Sequence, residues 1–356
     1  MLYFKKIDVF SLTSDEWLSY HTFRRSFHVE NTPEEPILDD NASEEYIKRD
    51  IITSGMEIIS FRIFDNSKVI GSFYYGFYEE SSESYSGNEK IVRFEIKLLK
   101  AHHQLGIATK ALQIMLDDCE QRGKSIFISS FQSSYYKPFF VAIGGIIAQT
   151  NAESKLNISE IDIPMIENWV REAERLNPET QIIFFENTIP DFLEDAYVRT
   201  FNDTLHQIPM DNIESKPNVF TVNSLRIMEK SNKLAGTLSI NVLTVEKDGT
   251  ISGISNVRRY KGSESYFTQG LTGVPKPYRG RKLGKWVKAK MILYLKENYP
   301  DVIAIETGNA ESNAPMLYIN TKLGFKKYKE SITGQVYLDS LKSYLSSKSD
   351  IIFSKK

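Results

Sequence analysis

The sequence predicts an α+β protein of two units that repeat one order of elements: strand, helix, strand and helix. The chain has 356 residues, of which 41% are hydrophobic and 12% aromatic, so it can bury two cores of ordinary domain size. In each half, apolar runs of strand length alternate with segments of helical periodicity. A polar stretch at 151–160 reads as irregular and separates the halves. We therefore expect units at 1–155 and 156–356.

The first half supplies its elements in that order. The predicted elements are two strands within 57–76 around the turn Asp65–Asn66–Ser67, a strand at 91–99, a helix at 106–122, a strand at 125–129 and a helix ending at Gly144–Gly145. The helix at 106–122 is supported by one apolar face, which consists of Ile107, Ala111, Met115, Leu116 and Cys119.

The second half repeats this pattern with few identical residues. A helix at 161–176 opens the unit, because its apolar residues recur at helical spacing. The elements predicted after it are paired strands at 234–243 and 253–259, a strand at 266–274, a helix at 283–299, a strand at 302–306 and a helix at 315–323 that stops at Gly324.

Charge and cysteine content exclude several kinds of function. The formal net charge of −2 provides no basic field for nucleic acid. Cys119 is the single cysteine and the five histidines lack ligand spacing, so we expect no disulfide framework and no metal site. There is no apolar run of membrane-spanning length and no signal-peptide pattern. We expect a cytoplasmic monomer or homodimer without a nucleic-acid or membrane partner.

One segment, RGRKLGK at 279–285, has the properties of an anion site. It lies between a predicted strand and a predicted helix, where backbone N–H groups are unpaired. Gly280 and Gly284 allow close approach of a ligand, and basic side chains add positive charge. The alternative is an ordinary turn with solvated basic residues. The basic residues are Arg279, Arg281, Lys282 and Lys285.

This segment resembles the first signature of the GNAT superfamily of N-acetyltransferases, in which Gln or Arg is followed by two residues, Gly, one residue, and Gly or Ala. Lys282 occupies the position of the first glycine. The segment at 307–325 resembles the second signature through Asn313, Gly324 and Phe325, and it also contains Asn309. The resemblance implies that the cofactor loop consists of Arg279, Gly280, Arg281, Lys282, Leu283, Gly284 and Lys285.

The first half resembles the same signatures less closely. Its segment HQLGIA keeps Gly106 and Ala108 but has His103 where Gln or Arg is usual. Farther along, Ser133 stands at the asparagine position and Gly145 replaces the phenylalanine. We expect this half to bind cofactor poorly or to shape the substrate site.

The resemblance implies a layout like that of tandem members such as mycothiol synthase or antibiotic self-resistance acetyltransferases. Each unit would be a central mixed, mostly antiparallel sheet flanked by helices. The cofactor would be acetyl-CoA, and the activity would be transfer of its acetyl group to a primary amine. The backbone of Thr272, Gly273 and Val274 would then pair with the pantetheine arm.

The resemblance also implies a catalytic tyrosine that this sequence lacks. The corresponding positions hold Asn320 and Phe140, so Tyr318 and Tyr136 are the nearby candidates for an acid. The alternative is that both tyrosines are core residues. Glu95 is the candidate base in the first half, or else a solvated strand residue. Glu264 and Glu306 are the candidates in the second half.

The acceptor is predicted only in outline. Seven carboxylates lie within 30–45, a segment without Lys or Arg, and would attract a cationic amine if they are not simply a solvated loop with helix caps. We expect a small-molecule amine such as an amino-containing antibiotic or metabolite. The alternatives are a peptide or protein amine, or a non-catalytic CoA-binding module. The carboxylates are Glu30, Glu34, Glu35, Asp39, Asp40, Glu44 and Glu45.

Overall fold

The computed structural model describes residues 1–353, with side chains at 1–132 and 136–348. Its strands form one 12-stranded sheet. The strands are β1 Leu2–Ile7, β2 Met56–Asp65, β3 Lys68–Tyr78, β4 Ile91–Leu98, β5 Ile126–Gln132, β6 Ile146–Asn157, β7 Gln181–Glu186, β8 Leu238–Val245, β9 Ile251–Arg259, β10 Tyr266–Gly273, β11 Ala304–Ala310 and β12 Lys326–Tyr337.

Helices cover both faces of this sheet. They are α1 Ser14–Asn31, α2 Asp40–Thr53, α3 Ile107–Gln121, α4 Ser133–Ala142, α5 Ile163–Leu176, α6 Glu194–Leu205, α7 Val222–Leu234, α8 Leu283–Asn298, α9 Ala314–Leu323 and α10 Leu338–Phe353. Within the described range, none of these helices has the length and hydropathy needed to cross a bilayer.

The two halves of the chain exchange strands at the centre of the sheet. The strand order is β1-β2-β3-β4-β5-β12-β6-β11-β10-β9-β8-β7. β6 follows α4 of the first half but pairs antiparallel with β11, and β12 from the end of the chain pairs antiparallel with β5. Position 155, where the sequence analysis divides the units, therefore lies inside β6. The division at this residue stays a prediction.

The apolar cores reflect the same exchange. The core beneath α3 contains Val336, Leu341 and Leu345 from the end of the chain. The core beneath α8 contains Leu156, which β6 supplies. Each core is therefore completed by residues that lie far away in sequence.

The structure confirms the repeated order of elements and the strands and helices predicted in each half. The expectation of an irregular segment at 151–160 is wrong, because 151–157 continue β6. Apart from Leu156, the buried positions of this strand hold small or polar side chains, so the strand lacks a sustained apolar alternation. These side chains are Ala148, Gln149, Ala152 and Ser154.

Candidate functional site

Two pairs of parallel strands separate along their length. β10 pairs with β11 only where Tyr266–Thr268 face Ala304–Glu306, although both strands continue beyond that point. β4 pairs with β5 only where Ile91–Arg93 face Ile126–Ile128. Beyond these contacts the facing backbone groups are not joined to each other by a ladder. We call the gap between each pair of separating strands a splay. Each splay can accept an extended ligand that pairs with the strand backbone.

The loop after β10 leads into an uncapped helix. Gly280 has φ 80° and Lys282 has φ 63°, both in the left-handed region, and α8 begins directly afterwards at Leu283. Within the described structure, no side chain caps the first turn of α8. The first N–H groups of a helix have no partner within it, and the helix dipole is positive there. This loop thus has the geometry of an anion site.

The basic side chains of this loop differ in what they contact. The Arg281 guanidinium pairs with Glu246 (Nη1 to Oε1, 3.1 Å) and donates to Asn177 Oδ1 at 2.7 Å. Lys282 Nζ lies 2.6 Å from Glu172 Oε1. Arg279 donates to the side chain of Gln207. The charges of Arg281 and Lys282 are therefore paired within the protein, and Arg281 fastens the loop to the body of the domain.

Lys285 lies in the first turn of α8, with Nζ 4.7 Å from the ring centroid of Trp169 and 5.5 Å from that of Tyr318. The Tyr318 side chain is 55% exposed. Leu283 is buried in the core, whereas a Cβ on Gly284 would lie 3.7 Å from Val274 Cγ2, an ordinary contact.

The end of β10 is closely packed on one side. A Cβ on Gly273 would lie 2.0 Å from Thr204 Cγ2 of α6, so this close approach requires glycine. The Thr272 hydroxyl is 2.9 Å from the Ser255 hydroxyl of β9. Thr272 is thus positioned by β9 and Gly273 by α6. Val274, in contrast, packs against the core beneath α8.

Asn320, at the position where the resemblance implies a tyrosine, lies in a buried polar cluster. It is 3% exposed, its Oδ1 accepts from Lys288 Nζ at 2.6 Å, and its Nδ2 donates to Asn309 Oδ1 at 2.7 Å. Burial lowers the pKa of Lys288 to about 7. Asn313 instead caps α9, since its Oδ1 accepts from Met316 N at 3.4 Å. The cluster joins α8, α9 and β11.

The loop of the first half has the same backbone conformation as that of the second. Gln104 has φ 62° and Gly106 has φ 77°, and α3 begins at Ile107 with no side-chain cap in the described structure. His103 is anchored through a hydrogen bond between Nε2 and Leu98 O at 2.9 Å. Ala108 packs against the core. The side chain of Ser133 lies outside the described ones.

A cleft of about 1330 Å³ lies on the α1 and α2 face of the first half. Residues 93–97 of β4 and 129–132 of β5 line it, so the cleft opens onto the splay between these strands. Glu95 lines it and pairs with Lys97 at 2.8 Å. Burial and the carboxylate of Glu95 raise the pKa of Tyr74 to about 12. Tyr136 and Phe140 also line the cleft.

The corresponding face of the second half is filled by side chains. Tyr197 of α6 and Leu225 of α7 pack with Leu243 and Ile254 of the sheet in a separate apolar core. The Tyr197 hydroxyl donates to Asn241 Oδ1 at 2.9 Å within this core. The two halves therefore share the loop and the splay but differ in the space beside the splay.

The acidic segment at 30–45 is largely neutralised within the protein. Five of its seven carboxylates pair with basic side chains, and the Glu30 carboxylate accepts from the backbone N–H of Lys100 at 2.9 Å. Asp39 in addition caps α2 through Asn41 N and Ala42 N. Only Glu35 of the seven lines the cleft, and it pairs with Lys329. This pairing favours the interpretation of the acidic segment as a charged loop with helix caps over that of a site for a cationic amine. The basic partners are Lys329, Lys261, Arg24, Arg25 and Lys48.

Glu264 and Glu306 lie outside this cleft. Glu306 Oε1 is 2.8 Å from Lys155 Nζ, which fixes the carboxylate on the sheet. Glu264 is exposed in the loop before β10 and accepts from Gly262 N at 3.0 Å. The backbone hydrogen bond from Gly262 lowers the pKa of Glu264.

The repeated splay, left-handed loop and uncapped helix define two GNAT folds joined in a single sheet. No protein-family model matches the sequence, and no curated protein matches it significantly. Among solved structures, the chain is similar to a tandem GNAT protein from the clavulanic acid biosynthesis pathway. The two share 15% identity with a TM-score of 0.73, over 95% of this chain and 99% of that chain.

Two further structures support the same fold. A GCN5-related N-acetyltransferase from Sphaerobacter thermophilus has 12% identity and a TM-score of 0.58, over 95% of this chain and 96% of that chain. The N-myristoyltransferase of Saccharomyces cerevisiae, solved with bound myristoyl-CoA, has 9% identity and a TM-score of 0.58, over 94% of this chain and 79% of that chain. The chain therefore has the tandem GNAT fold.

Sequence reasoning did not identify Lys288 and Arg62 as buried cations. Lys288 lies on the inner face of α8, and Arg62 interrupts the apolar run IISFRIF of β2. For Lys288 the signal was a basic residue on the apolar stripe of a helix, and for Arg62 it was a basic residue inside an apolar run.

Proposed function

We propose that this protein transfers an acyl group from acyl-CoA to an amine, and that the transfer occurs in the first half of the molecule. The observation that carries this proposal is the cleft, which opens onto the splay between β4 and β5. A donor lying in the splay would present its thioester to an acceptor held in the cleft. Acetyl is the acyl group that we expect.

Both loops support donor binding. The uncapped first turns of α3 and α8 present backbone N–H groups to a pyrophosphate, and the left-handed residues before them leave the approach open. In the second half, Lys285 and the backbone of 272–274 are the further groups that we expect to contact CoA. The sequence predicts poor cofactor binding in the first half, but its loop has the same backbone conformation as that of the second half. We therefore expect two CoA sites per chain, of which the first-half site is the reactive one.

Residues beside the splay of the first half can accept the proton of the acceptor amine and can donate a proton to the leaving thiolate. Glu95 lines the cleft, where it pairs with Lys97 at 2.8 Å, and it is the carboxylate that we expect to accept the proton of the amine. Phe140 cannot donate a proton, so the leaving thiolate must be protonated by Tyr136, which lines the same cleft, or by water. An amine that loses its proton before binding would need no base.

The shape of the cleft bears on the acceptor. Helices α1 and α2 and residues 208–220 border it, which favours a compact molecule over a polypeptide chain. An amino-containing antibiotic or metabolite stays our expected acceptor, and a peptide amine is the alternative. A non-catalytic CoA-binding module would bind the donor without releasing free CoA in the presence of any amine.

Calorimetric titration with acetyl-CoA tests the two sites. We expect two sites in the wild type and one in either Gly284→Asp or Gly106→Asp, because the new carboxylate repels the phosphates. Gly284→Ala and Gly106→Asn are the matched neutral controls and should keep both sites. An Ala Cβ at 284 makes only ordinary contacts, and a Cβ at 106 meets open space.

Release of free CoA thiol with a panel of small amines then identifies the reactive half. We expect Gly106→Asp to lower turnover at least a hundredfold and Gly284→Asp to leave it within about threefold. The reverse pattern would transfer the reaction to the second half. Absence of any acetyl-CoA binding in the folded wild type would contradict the proposal as a whole.

A further inference from the structure

Arg62 is a buried cation on the sheet face that lines the cleft. It lies on β2, is 9% exposed, and its guanidinium carbon is 4.0 Å from the ring centroid of Tyr20. In the part of the chain that the structure describes, this guanidinium has no hydrogen bond or ion pair, and its Nε is fully buried. Burial lowers the pKa of Arg62, yet an arginine remains charged at neutral pH.

The neighbouring strands place a second cation in line with Arg62. Arg62 of β2 faces Ser72 of β3, and Ser72 faces Lys97 of β4. Lys97 is already paired with Glu95 at 2.8 Å. On the other side, Lys5 of β1 faces Arg62 and is paired with Glu16 at 2.7 Å. The row therefore has one net positive charge, at Arg62.

The carboxylates that line the cleft are each paired with another cation. Arg24 donates to Asp40 at 2.7 Å, and Glu35 pairs with Lys329. Asp50 accepts from Arg49 at 2.8 Å. Arg93 donates to the hydroxyl of Ser215 at 3.2 Å, and burial lowers the pKa of His28, which keeps it neutral at pH 7. None of these pairs provides a counterion for Arg62.

A buried charge without a counterion is costly to a fold, so its presence in a ligand-sized cleft points to a counterion that arrives with the ligand. We propose that the cleft binds an amphipathic carboxylate, whose anionic group pairs with Arg62 while its apolar part lies against the aromatic walls. A planar guanidinium matches a carboxylate in charge and in bidentate geometry. Aromatic residues of these walls include Tyr20, Phe23, Phe27, Tyr74, Phe131 and Phe201.

This ligand differs from the cationic amine suggested by the acidic segment. If the proposed function holds, the ligand is the acceptor, and the acceptor is an amino-carboxylate with an apolar body. That assignment as acceptor rests on the proposed function, whereas binding of the carboxylate does not. An experiment can therefore contradict the assignment as acceptor without contradicting carboxylate binding, and the reverse.

The experiment titrates full-length protein, in the absence of CoA, with acids and their primary amides. The probes are L-phenylalanine, L-tryptophan and 4-phenylbutyrate, each beside its amide, with phenyl phosphate as a second anion. In the wild type we expect at least one acid to bind at least tenfold more tightly than its amide. In Arg62→Met the preference should fall below twofold, and Arg62→Lys should keep part of it.

Thermal unfolding separates a ligand-binding arginine from a structural one. Arg62→Met should melt at the same temperature as the wild type or higher, because it removes an unpaired buried charge. Arg49→Met is the matched control. Arg49 is buried and bonded to Asp50 and Asn232, so its loss should lower the melting temperature and leave the acid preference intact.

Three results would overturn the inference: no acid preference in the wild type, an unchanged preference in Arg62→Met, or tighter binding of phenyl phosphate than of every carboxylate. Normal acetyl-CoA binding beside any of these results would leave the proposed function standing. Normal acid binding without any acetyl-CoA binding would contradict the proposed function and leave the carboxylate site standing.

Discussion

Lys282 and Gly106 occupy the same left-handed position in the two loops, with φ 63° and φ 77° respectively. Each residue directly precedes the first residue of its helix, and Gly280 and Gln104 are left-handed two residues earlier. The backbone path is therefore the same although the glycines stand at different positions. A lysine maintains this path in the second half, and its side chain is held by Glu172.

We expect Lys282→Gly to stabilise the protein by up to about 1 kcal/mol, because a non-glycine residue in the left-handed region is strained. The exposed ion pair with Glu172 contributes little in return. Urea unfolding measures the change, and acetyl-CoA titration accompanies it. We expect CoA affinity to change less than threefold. A loss of tenfold or more would show that the Lys282 charge reaches the phosphates.

Lys288 makes stability depend on pH. The unfolded chain holds this proton up to the ordinary pKa of 10.5, whereas the folded protein releases it near pH 7. Between these values the unfolded state binds more protons, so rising pH favours folding by about 1 kcal/mol per pH unit. Relative to Lys288→Met, the wild type should therefore gain stability from pH 7 to pH 9.

The measurement is urea unfolding of both proteins at pH 7, 8 and 9. Loss of the hydrogen bond to Asn320 shifts the difference at every pH but does not change its slope. Lys290→Met is a control on the same helix, since Lys290 is only partly buried and pairs with Glu174. A parallel course of wild type and Lys288→Met would mean that Lys288 is charged in the folded protein at pH 9.

A fragment of residues 1–155 should not fold alone. It lacks β12, which pairs with β5, and it lacks Val336, Leu341 and Leu345 of the first core. An exposed edge at β5 and an incomplete core favour aggregation. Near-ultraviolet circular dichroism and thermal unfolding check this. A cooperative transition in the fragment would support two autonomous units divided near residue 155.

Much of the local structure could be predicted from the sequence because periodicity reports burial. The helix at 106–122 was predicted from five apolar positions, and all five are buried in α3. β6 could not be predicted in the same way, because its burial comes from pairing with β11 and β12 rather than from apolar side chains. Strand exchange is a relationship between distant segments and leaves no local pattern.

The candidate site was likewise predictable only where its chemistry is local in sequence. The glycines and basic residues of 279–285 indicated an anion loop, because loop chemistry is local in sequence. The sequence did not indicate the contact of Arg281 with Glu246 or that of Asn320 with Lys288. Each contact joins two elements that are distant in sequence and meet only in the folded protein.

By itself the sequence determined the elements, their repetition and the chemistry of the loops, since these follow from residues within one turn or one strand of each other. Only the tertiary structure decided which half keeps an open cleft, because that depends on how two helices pack on a sheet face. In the second half, the apolar core around Tyr197 occupies this sheet face, whereas in the first half the cleft beside Arg62 stays open. Whether an arginine is buried without a partner is likewise decided only when the strands and helices come together.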